Sequence, residues 1–200
     1  IVKLRLTGFG EDKEQLNAAI DDAFNKVMPL IQSYVFGREN DELARVVGQL
    51  LIEKQATLSV AESCTGGYLA HQFTQHSGSS AYFQGGIVSY ANEVKVNQLG
   101  VSQEILDLDG AVSDTCVMAM AAGARKQLGT TYALATSGIA GPDGGTEDKP
   151  VGTIWIALAH PEGVIARKLT QGGTRIQNIH LSSLTAINLL RRYLLNDLAE

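Results

Sequence analysis

The residues of this 200-residue chain that could do chemistry lie first in one short run, Ala61-Glu62-Ser63-Cys64-Thr65-Gly66-Gly67. The apolar stretch Leu58–Ala61 in front of it reads as the end of a strand. Behind it, Gly66 to Gln75 follows a helical pattern. A serine at such a junction presents its hydroxyl beside N–H groups that a first helical turn leaves unpaired. That suits a nucleophile attacking an acyl carbon, with the N–H groups of Thr65, Gly66 and Gly67 aimed at the developing oxyanion. Glycine also lets a substrate approach the backbone closely. The same spacing admits Ser63 and Thr65 as ordinary caps of the following helix. It is not the Gly-x-Ser-x-Gly elbow of the α/β-hydrolases.

A nucleophilic serine needs a base. His71, His76, His160 and His180 stand in no glycine-rich or loop context, and His71 and His76 do not share a helix face. Lys95 is the better placed candidate. It falls near the start of a short helix that Asn92 is positioned to cap, where a cation opposes the helix dipole. Dipole and burial would together lower its pKa from about 10.4 towards that of a general base. An exposed surface lysine is the plainer alternative. Tyr90, at the end of the preceding strand, could assist, or simply belong to the core.

Two glycine-containing stretches could bind an anion. Gly172-Gly173 precedes a helix on which Thr174 and Gln177 fit a capping box and Arg175 adds a cation. The loop Ser137–Gly145, opening on Ser137 and Gly138, could wrap a ribose or phosphate. It lacks the Lys-Ser/Thr ending of a P-loop, which excludes ATP hydrolysis of that kind. Cys64 and Cys116 read as isolated, reduced residues, and Asp143 with Asp148 as an ordinary acidic loop, so no metal set is expected.

Those residues need positioning elements. Val2–Thr7 alternates as a strand would, and Asp12 to Ile31 carries the apolar stripe Leu16, Ile20, Phe24, Val27, Leu30 and Ile31 of a helix. One strand and one helix cannot close a core, so residues 1–37 read as part of a small neighbouring domain, and residues 38–200 as the main one. There, Asn40 or Asp41 should cap a helix to about Lys54. Strands are expected over 57–61, 86–90, 132–136, 151–159 and 164–170, and helices from Asn92, from a Ser113 or Asp114 cap to about Leu128 and from Thr174 to about Leu195. The last helix should face inward through Ile176, Ile179, Ile187, Leu190 and Leu194. Strands alternating with helices, then a hairpin, predict a three-layer α/β/α sandwich with a mixed sheet. A net charge of −5 with no basic stripe argues against nucleic-acid binding. No apolar run reaches the roughly 20 residues of a membrane span. The expected setting is cytoplasmic.

At these residues the sequence resembles one family. Ala61–Gly67, Gly78-Ser79-Ser80, Tyr90–Lys95, Gly110–Ser113, Ser137–Gly145 and Lys149–Thr153 are similar, in order and spacing, to motifs of the CinA C-terminal domain, over about residues 40 to 195. The resemblance implies a nicotinamide-nucleotide amidohydrolase, which turns nicotinamide mononucleotide (NMN) into nicotinate mononucleotide and ammonia without a cofactor. By position it implies Ser63 as nucleophile, Lys95 as base, Tyr90 as their assistant and Arg175 in the substrate site. Tyr82 or Phe83 would then be candidates to stack on the pyridine ring, or core residues. The resemblance further implies a homo-oligomer. It likens residues 1–37 to the end of the linking domain of full-length CinA proteins, so their N-terminal domain, with its pyrophosphatase activity, would lie outside this fragment. The competing class is a non-catalytic nucleotide-binding or interaction module of a competence- or damage-related protein.

Overall fold

The computed structural model describes residues 2–38 and 40–197. It divides into two compact units, Ile1–Asn40 and Asp41–Glu200. The first holds α1 (Lys13–Ile31), capped by the Asp12 carboxylate on the N–H groups of Glu14 and Gln15. Leu16, Ile20, Phe24 and Val27 are half-buried along one side, and no described residue of the unit is fully buried. The strand expected over Val2–Thr7 does not form; residues 2–10 are irregular. A strand exists only as part of a ladder, and among the described residues of this unit no second extended segment pairs with it.

The second unit is built on five strands, β1 (Leu58–Glu62), β2 (Phe83–Val88), β3 (Tyr132–Gly138), β4 (Thr153–His160) and β5 (Gly163–Thr170). Their order is β2-β1-β3-β4-β5. β1 is parallel to both β2 and β3, while β3, β4 and β5 run antiparallel to their neighbours. The sheet is therefore mixed, and the fold is α/β. One face carries only small residues in its middle, Ala61, Ala133, Ala135, Ala157 and Ala159. Against it lie residues of α4 (Asn92–Leu99), α5 (Gln103–Leu108) and α6 (Asp114–Leu128). Short side chains let α6 come close. A Cβ on its Gly123 would sit 1.9 Å from the carbonyl oxygen of Leu99, the end of α4. The other face, with Leu58, Val60, Leu134, Ile156 and Leu158, is covered by α3 (Tyr68–Thr74) and α7 (Arg175–Leu194), and α2 (Leu43–Glu53) packs on both helices.

Several element starts differ from expectation. β2 begins at Phe83 rather than Gly86, because pairing with β1 draws Gly85 (φ +148°, next to a register shift opposite Leu58 and Ser59) and Gly86 into the strand despite glycine's poor intrinsic preference. Glu42, not Asn40 or Asp41, is the N-cap residue of α2, and Ala91, not Asn92, that of α4; neither side chain accepts a capping hydrogen bond. Ser113 does cap α6, and Thr174 with Gln177 forms the capping box of α7. Ile187, Leu190 and Leu194 of α7 face the core, but Ile176, in its first turn, is 78% exposed. The chain leaves β1 through α3 on one face and returns to β3 through α4–α6 on the other. The crevice between these connections, outside the carboxyl ends of the parallel strands, is where open α/β sheets take ligands.

Candidate active site

The turn after β1 lies at that crevice. Ser63 donates its N–H to Thr136 O, 2.9 Å away, extending the pairing with β3 by one residue. The chain then reverses through Gly66 (φ +59°) and Gly67 (φ +102°), left-handed conformations that a side chain would strain, and α3 begins at Tyr68. The space in front of Gly66 is open. Ser63 is half-buried, and its hydroxyl has no hydrogen-bond partner among the described residues.

Beneath the turn sits a residue that sequence reasoning missed. The Glu62 side chain is fully buried and accepts four hydrogen bonds. Its Oε2 takes the Thr65 hydroxyl (2.6 Å) and the N–H groups of Gly67 (2.9 Å) and Leu69 (3.0 Å), and its Oε1 takes the N–H of Ala70 (2.7 Å). The Thr65 hydroxyl in turn bonds that of Thr136 at 2.7 Å. This corrects the expectation that three N–H groups face an oxyanion. Gly67 gives its N–H to Glu62, and Gly66 gives its own to Ser63 O (3.2 Å); of the three only Thr65 keeps an N–H without a partner among the described residues. A buried carboxylate must find donors, and those nearest are the orphan N–H groups of α3. The available signal was an acidic residue closing the otherwise apolar run Leu58–Ala61.

Lys95 is 1% exposed, on α4 directly beyond β2. Its Nζ donates to the carbonyl oxygens of Ser89 (2.8 Å) and Tyr90 (3.2 Å). Burial lowers its pKa from the usual lysine value. A neutral amine has two N–H bonds and one lone pair; two carbonyls satisfy the former and leave the latter for a proton. No hydrogen bond joins Lys95 to Ser63. They are connected through the sheet, since Ser89 donates its N–H to Glu62 O at 2.8 Å.

Arg175 closes the opposite side. Its guanidinium donates to Gly141 O (2.7 Å) and to the Tyr90 hydroxyl (3.1 Å), so the loop after β3, the segment after β2 and the start of α7 meet at one side chain. The buried Asn178 side chain steadies this corner, bonding Ala140 O, Gly173 O and Gly173 N. In α7 the capping box occupies the N–H groups of Thr174 and Gln177, leaving those of Arg175 and Ile176 without acceptors among the described residues. Two other candidates are engaged elsewhere. The buried Ser137 hydroxyl donates to Ala111 O, and a Cβ on Gly138 would lie 2.6 Å from Ile154 Cα, so close packing on β4 explains that glycine.

The remaining groups lie apart. Burial pushes the Cys64 thiol up to about 12, so it stays protonated beside Ser63. His160 lies at the other end of the sheet, its Nδ1 3.0 Å from the Tyr193 hydroxyl. Buried Tyr82 and half-buried Phe83 pack on Phe73 at the start of β2, opposite Leu58, and so lie at that far end. Among the described residues no cluster of His, Cys, Asp or Glu could hold a metal ion, and no helix is long and apolar enough to cross a membrane.

Residues 40–194 match the family model described as the CinA C-terminal domain. The CinA-like protein of Cytophaga hutchinsonii is 50% identical over 193 residues, 96% of this chain and 46% of the relative. That of Crocosphaera subtropica is 44% identical over 196 residues, 97% of this chain and 48% of the relative. The chain thus spans about half the length of the curated relatives it matches. Among solved structures, a competence-damaged protein (CinA) superfamily member from Klebsiella pneumoniae superposes with a TM-score of 0.76 at 32% identity, covering 80% of this chain and 99% of that one. A competence/damage inducible protein of Agrobacterium tumefaciens gives 0.74 at 36%, covering 78% and 96%.

Proposed function

The chain belongs to the CinA C-terminal domain family, and we propose that its Ser63 turn hydrolyses the carboxamide of NMN to nicotinate mononucleotide and ammonia. The observation that carries this reading is the Lys95 amine, buried, low in proton affinity and held by two carbonyls at the strand end beside the turn. Such an amine is suited to take the Ser63 proton as Ser63 Oγ attacks the carboxamide carbon. The Thr65 N–H is available to the resulting oxyanion. When the C–N bond breaks, the Lys95 ammonium returns the proton to departing ammonia, and water then cleaves the acyl-enzyme with Lys95 again as base. The hydroxyl–amine contact would form on substrate binding, as catalytic hydrogen bonds often do.

The phosphate goes to Arg175 and the free N–H groups of α7, where charge-assisted bonds orient the nucleotide. Tyr90 joins the two halves, its carbonyl holding Lys95 and its hydroxyl held by Arg175. No cofactor takes part. A homo-oligomer, implied by the family resemblance, belongs to the same proposal and is read out by light scattering. The deciding experiment is incubation of the protein with NMN and measurement of ammonia. Release that depends on Ser63 and Lys95 supports the reading; NMN binding without release favours a nucleotide-binding module.

A further inference from the structure

We infer that Glu62 is the positioning residue of the Ser63 turn, acting as an ionised carboxylate that never touches substrate. This rests on the reading of Ser63 as nucleophile. An ionised carboxylate offers about four lone-pair sites. At Glu62 four donors converge on them: the Thr65 hydroxyl and the N–H groups of Gly67, Leu69 and Ala70. The side chain is saturated and fully buried, so it has no site left for a ligand. The residues it binds, Thr65, Gly67, Leu69 and Ala70, all follow Ser63, in the turn and in the first turn of α3. Its main-chain oxygen also receives the N–H of Ser89, whose own carbonyl holds the Lys95 amine. One residue thereby sets both the nucleophile turn and the platform of the base.

The arrangement also directs the substrate. Glu62 occupies three N–H groups at the start of α3, which places an anion there against a buried negative charge. The free donors for a phosphate are at α7 instead, with Arg175.

An amide cannot replace this carboxylate. In Glu62→Gln one of the two atoms becomes an NH2 donor, and it would face either the Ala70 N–H or the Gly67 and Leu69 N–H groups with the Thr65 hydroxyl. The turn must shift, and a misplacement on the order of 1 Å costs about 100-fold in rate. Because substrate contacts are untouched, the loss should fall on kcat, with KM within about threefold.

The test is steady-state ammonia release from NMN by the full chain and by Glu62→Gln and Glu62→Asp, at a temperature where circular dichroism shows each folded. In parallel, each protein is labelled with a fluorophosphonate probe, with the Ser63 adduct followed by intact mass. Lower kcat at unchanged KM, with slower Ser63 labelling, in whichever variant folds supports the positioning role. Wild-type kcat in a folded variant, or KM rising in step with a fall in kcat/KM at constant kcat, overturns it. A Glu62 role confined to stability would lower the melting temperature and leave kcat of the folded enzyme alone. If wild type labels at Ser63 but releases no ammonia, the NMN reading fails while the labelling ratio still decides the role of Glu62.

Discussion

Lys95 and Ser89 form the tightest contact of the candidate base: the Lys95 Nζ lies 2.8 Å from the Ser89 main-chain oxygen. Ser89 is in turn anchored to the residue before Ser63, through its N–H on Glu62 O. A lysine 32 positions from the serine is thus tied to it by a strand-to-strand hydrogen bond, not by a direct one.

Removal of either partner should be decisive. Ser63→Ala and Lys95→Ala are each expected to lower ammonia release from NMN by at least about a thousandfold while leaving the circular dichroism spectrum unchanged. Near-normal turnover in either variant would exclude that residue from the chemistry.

As the proposed base, Lys95 would work only when unprotonated, so kcat/KM should rise with pH and then level off. Burial lowers its pKa, so the midpoint of that rise should fall below the ordinary lysine value of about 10.4. A pH–rate profile from neutral to alkaline buffer measures it; a midpoint at or above the ordinary value would contradict a buried lysine base.

Arg175 is expected to act on binding more than on rate. A charge-assisted hydrogen bond contributes about 1.5–3 kcal/mol, so Arg175→Ala should raise KM for NMN by roughly 10- to 100-fold with kcat little changed. An unchanged KM would move the phosphate elsewhere.

The proposed Ser63–Lys95 route calls for no metal. Turnover should therefore persist after dialysis against a chelator, and a loss restored by added divalent cation would point to different chemistry.

The close approach of α6 to the end of α4 makes a stability prediction independent of activity. With Leu99 O only 1.9 Å from where a Cβ would sit, Gly123→Ala should destabilise the domain by about 3 kcal/mol, or roughly 6–12 °C in Tm. Thermal unfolding followed by circular dichroism measures the shift.

Much of this was legible in the chain because it is local. The Ser113 cap, the Thr174–Gln177 capping box, the β4–β5 hairpin and the strand–turn–helix around Ser63 are decided by residues within a few positions of each other. The alternation of strands and helices determined the layered α/β architecture for the same reason. Other features depend on partners distant in sequence. Val2–Thr7 has a strand pattern but no ladder, whereas the glycine-bearing β2 is held extended by β1. Whether Lys95 is a surface ammonium or a buried amine depends on packing, and packing also separates Ile176 from the inward positions of its helix. Glu62 is the clearest case. In sequence it is one acidic residue before a serine; only folding brings three backbone N–H groups and a hydroxyl onto its carboxylate, because a buried charge persists only where donors surround it.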